Sequence, residues 1–141
     1  MTSGYSGTPL IKKLGLKDGM HALLVGVPET LSEISGFPGF TGVEREMPRS
    51  PGRVFDYIHV FETDRGRLDA SVAGIRASLK QNGMLWISWP KKASKVPTTI
   101  TEDVLRTVLL PTGLVDVKVA AVDETWSGLK FMFRKEIRAT L

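Results

Sequence analysis

The sequence predicts an α/β domain: a mostly parallel sheet with helices on both faces, finished by an antiparallel hairpin. Three observations predict it. Residues 21–27 read as a continuously apolar run instead of an alternating one, and 55–61 and 84–89 are mostly apolar, as strands buried on both faces are. A helical stripe separates the second run from the third, which makes a parallel crossover unit. The last third changes to period two, with Leu129, Phe131 and Phe133 on one face and Lys130, Met132 and Arg134 on the other.

Taken in order, Thr8-Pro9 opens a short helix, with Thr8 as cap and Pro9 at the first helical position. Leu10, Ile11 and Leu14 form its stripe, Gly15 stops it, and Lys17-Asp18-Gly19 turns into the first strand. Pro28 ends that strand. Thr30 and Glu33 have capping-box spacing for a helix of one or two turns, stopped by Gly36. Residues 37–52 are rich in proline and glycine, with a short strand expected at 43–46. Asp64 starts the long helix, whose stripe is Leu68, Val72, Ile75 and Leu79, and Asn82-Gly83 is expected to stop it. Thr101 caps the next helix, with Glu102 and Asp103 in its first turn, Val104, Leu105, Val108 and Leu109 on its apolar face, and Pro111 closing it. Strands at 117–122 and 129–134 complete the sheet, the second reading as a half-exposed edge. Residues 136–141 read as a frayed tail.

Composition narrows the chemistry. The 141 residues suit one domain spanning 1–141. With no cysteine, disulfides, thiolate catalysis and zinc–sulfur sites are excluded, and a cytoplasmic location is expected. Two histidines, His21 and His59, make no histidine-rich metal site, so no metal is expected. No apolar run is long enough for a membrane helix, so no membrane partner is expected. The net charge of +4 favours anionic partners, but the basic residues are scattered, so nucleic acid rests on net charge alone.

In an open parallel sheet, ligands sit outside the carboxyl ends of the strands. The segments there are 27–30, 62–64, 90–95 and 123–126, and they are expected to converge. Candidate ligand-binding residues follow: Gly26 and Glu29; Glu62, Thr63 and Asp64; Lys91, Lys92 and Ser94; Asp123, Glu124 and Trp126. The lysines and Ser94 suit an anion, or a solvated loop. Asp123 and Glu124 suit acid–base work, or pairing with Lys91 or Lys92. Trp126 suits stacking on a ring, or covering the hairpin. Trp86 and Trp89 face opposite sides of their strand as core residues, and His59 reads as a packed histidine with a hydrogen bond. No set of catalytic residues stands out.

The blocks Gly4-Tyr5-Ser6-Gly7-Thr8-Pro9-Leu10, Trp89-Pro90-Lys91-Lys92-Ala93-Ser94, Thr112-Gly113-Leu114-Val115-Asp116 and Asp123-Glu124-Thr125-Trp126-Ser127-Gly128-Leu129 resemble the bacterial domain of unknown function 3052 family. That resemblance implies no activity. The element order also resembles the Rossmann-like class I S-adenosylmethionine-dependent methyltransferases, reduced by one early strand–helix unit. Their signature after the first strand is an acidic residue followed by alternating glycines. Here the stretch Leu24-Val25-Gly26-Val27-Pro28-Glu29-Thr30 has one glycine, and Pro28 offers no N–H. Glu44 and Glu46 lie at the distance past Gly26 expected of a carboxylate on a ribose. The expectation is a non-catalytic module that binds a small molecule, anionic by charge balance, or a protein, and takes no cofactor. The alternatives are a methyltransferase with an eroded S-adenosylmethionine loop, and a nucleic-acid-binding protein.

Overall fold

The computed structural model describes residues 9–50 and 52–141. Its strands are β1 (His21–Val25), β2 (Gly42–Glu44), β3 (Phe55–Phe61), β4 (Leu79–Pro90), β5 (Leu114–Ala121) and β6 (Trp126–Phe133). Its α-helices are α1 (Leu10–Leu14), α2 (Ser32–Ser35), α3 (Arg65–Ser78), α4 (Glu102–Leu109) and α5 (Lys135–Arg138). The strands form one sheet in the order β2-β1-β3-β4-β6-β5. β3 lies between β1 and β4, and β1, β2, β3 and β4 are parallel, in keeping with the mostly parallel sheet expected. β6 runs antiparallel to both β4 and β5, so β5 again points the same way as β4.

The two faces are covered by different helices because the chain leaves β1 in one direction and β3 in the other. Right-handed crossovers then fall on opposite sides of the sheet. On one face Leu10, Leu14 and Ile34 pack with Leu24, Tyr57 and Trp86. On the other, Leu68 and Ile75 of α3 and Leu105 and Leu109 of α4 pack with Ile58, Ile87, Trp89 and Phe131. Trp86 and Trp89 thus divide between the two cores, as their spacing requires. Trp86 also donates Nε1–H to the Leu14 carbonyl at 3.0 Å, which ties α1 to the sheet.

Several local expectations give way to tertiary contacts. Thr8 lies outside the described residues, and Pro9 occupies the cap position of α1, with Gly15 ending it at φ 76°. The Thr30–Glu33 capping box does not form. Residues Glu29–Leu31 make a 3₁₀ turn behind Pro28, and Leu31 takes the cap position of α2 without a side-chain bond. α3 stops at Ser78, four residues before Asn82-Gly83, because Leu79 is needed opposite Phe55 in the sheet. The register then jumps from Phe55–Leu79 to Tyr57–Met84, so 80–83 are looped out of the β3 ladder as an irregularity. β6 is not an edge. β5 covers it and is itself the edge strand. The tail is also not wholly frayed: α5 forms, and Ile137 packs on the core and against Gly113.

Candidate ligand site at the carboxyl edge

β1, β3, β4 and β5 end on one edge, and the segments that follow them meet there. Gly26, with φ 72°, ends β1. A Cβ at Gly26 would come within 2.8 Å of the Phe61 carbonyl at the end of β3, so the mouth of the β1–β3 crevice stays free of a side chain. The Phe61 ring meets Trp126 edge-on, with centroids 5.1 Å apart. Trp126 begins β6, and the preceding residue, Thr125, accepts the Lys91 backbone N–H at 2.7 Å. The Thr63 carbonyl accepts Thr98 Oγ1 at 2.7 Å and the Thr99 N–H at 3.0 Å, which joins the loop after β4 to the loop after β3.

Most of the expected carboxylates serve this scaffold. Glu62 Oε2 accepts the N–H groups of Thr63 and Asp64 at 2.9 and 3.1 Å and Arg67 Nε at 3.0 Å. Asp64 caps α3 by accepting the Arg67 N–H at 2.9 Å. Asp123 Oδ1 accepts the N–H groups of Thr125 and Trp126, both at 2.8 Å, and so holds its own hairpin turn. The expectation paired Lys91 or Lys92 with Asp123 or Glu124, and the loop after β4 meets that hairpin turn through the Lys91 N–H and the Thr125 carbonyl. Ser94 is likewise occupied, its hydroxyl donating to the Lys91 carbonyl at 2.6 Å. Glu29 stays exposed at the edge. Glu44 does not face it: its carboxylate lies 3.7 Å from His21 Nε2, at the start of β1. Glu46 is exposed two residues beyond β2.

Two clefts open on this edge. One, of about 380 Å³, has Trp89, Val96 and Ile100 as apolar lining and Lys92, Lys95, Thr98 and Thr101 among its polar walls. Lys95 takes a left-handed φ of 62°, rare for a residue with a side chain. The neighbouring cleft, of about 350 Å³, shares Thr98 and adds Thr63, Asp64 and Arg67. Thr63, Asp64, Lys92 and Lys95, the last within the expected segment 90–95, were legible in the sequence, whereas Val96, Thr98 and Arg67 were not. The loop's signal was the stretch Pro97-Thr98-Thr99-Ile100-Thr101, whose Thr98 and Thr99 hold it against the end of β3. A third cleft, of about 370 Å³, lies at the opposite edge, where Asp56 pairs with Lys80 at 3.2 Å. Strand amino ends are not where parallel sheets bind ligands. Among the described residues no group of three or more histidines and acidic residues is arranged to hold a metal.

No family model matches the chain, so the resemblance to the domain of unknown function 3052 family gains no support from that comparison. No curated protein matches it either. Solved structures do. A S-adenosylmethionine-dependent methyltransferase from Aquifex aeolicus superposes with TM-score 0.64 at 19% identity, over 89% of this chain and 88% of that one. A protein from Sulfolobus solfataricus described as a type 11 methyltransferase gives 0.69 at 13% identity, over 89% and 90%. The magnesium protoporphyrin IX methyltransferase of Synechocystis, solved with S-adenosylmethionine bound, gives 0.59 at 11% identity, over 89% and 74%. The chain has the Rossmann-like methyltransferase fold. The expectation of a chain without a cofactor is overturned by this comparison, since similar structures were solved with S-adenosylmethionine or S-adenosylhomocysteine bound.

Proposed function

We propose that the chain is a S-adenosylmethionine-binding domain of methyltransferase type, with the cofactor at the β1–β3 end of the carboxyl edge. One observation carries the reading. β2 pairs on one side of β1 and β3 on the other, so the chain reverses its direction across the sheet between them. Such a switch point is where doubly wound sheets take a nucleotide. At that point stands an exposed glycine where a Cβ would meet the Phe61 carbonyl at 2.8 Å, so no side chain covers the backbone there. The residues fit the ligand. Gly26 lets it approach backbone, and Glu29 and Glu46 offer carboxylates to ribose hydroxyls or to a cationic amino group. Pro28 withdraws one N–H, which leaves side chains a larger part of the binding.

When bound, S-adenosylmethionine supplies an electrophilic methyl group for a nucleophilic acceptor. The clefts beside Lys92, Lys95 and Arg67 are the proposed acceptor space. Trp89, Val96 and Ile100 give the first cleft an apolar wall, and the cations of the two clefts favour an acceptor bearing negative charge. Binding without turnover is the second reading. It is favoured by the commitment of Glu62, Asp64 and Asp123 to local N–H groups, which leaves them unsuited to proton transfer.

Calorimetric titration with S-adenosylmethionine and S-adenosylhomocysteine tests the proposal. Micromolar binding is the expected result, and a ligand at a hundred times its dissociation constant raises stability by about 2.7 kcal/mol. Glu29→Gln combined with Glu46→Gln, both at exposed positions, weakens binding without loss of fold. Absence of heat and of thermal shift at millimolar ligand sinks the reading.

A further inference from the structure

A like-charge cluster on the α1 face of the sheet has no role in the cofactor reading and does not depend on it. Lys118 of β5 and Lys130 of β6 are directly opposite one another. Opposed like charges on neighbouring strands destabilise a sheet. The arrangement is nonetheless held in place: Lys118 Nζ donates to the Lys13 carbonyl at 2.9 Å, and Lys13 Nζ donates to the Ala121 carbonyl at 3.1 Å. Burial, then Lys118 and Lys17, lowers the Lys130 pKa below that of a free lysine. Burial, then Lys118 and Lys91, does the same for Lys13. Lys13 of α1, Lys118 of β5 and Lys130 of β6 thus share one region.

The strands supply no counter-charge there. β4 and β6 contain no acidic residue, and Asp116 of β5 faces the other way, bound to Arg106 of α4 at 3.2 Å. The hairpin turn beside the cluster does carry Glu124 and Asp123, the latter holding Thr125 and Trp126. On β6, Trp126, Gly128 and Lys130 fall on the same face by alternation, so a half-buried indole lies in line with the lysines.

We infer that this face is a docking surface for single-stranded nucleic acid, with the lysines taking backbone phosphates and Trp126 offering a ring to a base. Cations on a surface beside an aromatic side chain are the usual means of binding such strands. An acidic membrane fits less well. Exposed Val119 pairs with Leu129 and so lies on the α4 face, away from the lysines, whereas membrane docking needs apolar side chains beside the cations.

The test is fluorescence anisotropy with a labelled single-stranded oligouridylate, titrated at several salt concentrations, on the wild type and on Lys130→Gln, Lys118→Gln and Lys135→Gln. Lys135 is an exposed lysine on α5 and controls for net charge. The wild type is expected to bind, with log affinity falling linearly in log salt. Lys130→Gln and Lys118→Gln should each weaken binding and reduce that slope by about 0.7, while Lys135→Gln leaves it unchanged. Lys130→Gln should also melt no lower than the wild type, since it removes a repulsion. The proposal is overturned if the oligonucleotide does not bind at low salt, if all three variants weaken binding alike, or if Lys130→Gln lowers the melting temperature and leaves binding unchanged. Preference for vesicles of phosphatidylserine over the oligonucleotide likewise rejects it.

Discussion

His59 is fully buried in the middle of β3, yet both ring nitrogens are paired. Nδ1 lies 2.8 Å from the Tyr57 hydroxyl and Nε2 lies 2.7 Å from the Ser88 hydroxyl. The ring also stacks on Phe61 at 4.4 Å. Burial lowers the His59 pKa from 6.5 to about 3 and raises that of the Tyr57 phenol. The unfolded chain therefore binds a proton that the folded chain refuses between about pH 6.5 and 3. This contribution to stability is complete above pH 6.5 and is lost on acidification through that window, at up to about 1.4 kcal/mol per pH unit. Urea titrations at a series of pH values check it. The stability gap between wild type and His59→Asn should narrow as the pH falls below 6.5, and a constant gap contradicts the assignment. Ser88→Ala leaves a buried ring nitrogen without its partner and is expected to cost about 1–3 kcal/mol. The sequence marked His59 as a packed residue, since it lies mid-run in an apolar strand. It did not reveal Ser88 as the partner, because that contact depends on the register of β3 against β4.

Among the elements, those whose ends are set by their own side chains were the most legible. Thr101 Oγ1 accepts the Val104 N–H at 3.2 Å, and Asp64 caps α3 in the same way. Thr101→Ala is expected to cost about 1 kcal/mol in chemical denaturation. Asp64→Ala should cost at least as much, because it frees the end of α3 beside the loop that Glu62 organises. Elements bounded by tertiary pairing were harder to read. Asn82-Gly83 looks like a helix stop, but burying Leu79 opposite Phe55 ends the helix earlier and turns the stop signal into an irregular part of β4. Alternation in β6 correctly placed Leu129, Phe131 and Phe133 in the core. It could not say that β5 lies outside β6, because an alternating strand reads the same at an edge and beside one. β5 carries the edge features: a register shift between Asp116 and Lys118, and Val117 and Val119 each about half exposed at 51% and 52%. A bulge of this kind blunts pairing with another chain.

At the scale of the whole molecule, the convergence of the strand-end segments was legible and the chemistry of that edge was not. Strand direction alone brings 26–30, 62–64, 91–101 and 122–126 to one edge. Whether a carboxylate there is free or committed depends on turns of two or three residues, as at Asp123, and no periodicity reports them. The lysine face was hidden for a related reason: Lys118 and Lys130 become neighbours only once β5 and β6 are paired.

This organisation yields a prediction for the intact protein. A ligand at the switch point stabilises the loops it touches before it affects the core, because core amides already exchange through larger openings. Hydrogen exchange followed with and without S-adenosylhomocysteine should therefore show new protection concentrated in residues 26–31 and 62–64. A smaller effect is expected in 91–101, which reaches the crevice only through the Thr63–Thr98 and Thr63–Thr99 bonds. Amides of 80–83, at the opposite edge, should not respond. Protection centred on 80–83 would move the ligand to the cleft beside Asp56 and Lys80. Protection spread evenly over the sheet would mean that the ligand raises global stability without occupying the β1–β3 crevice.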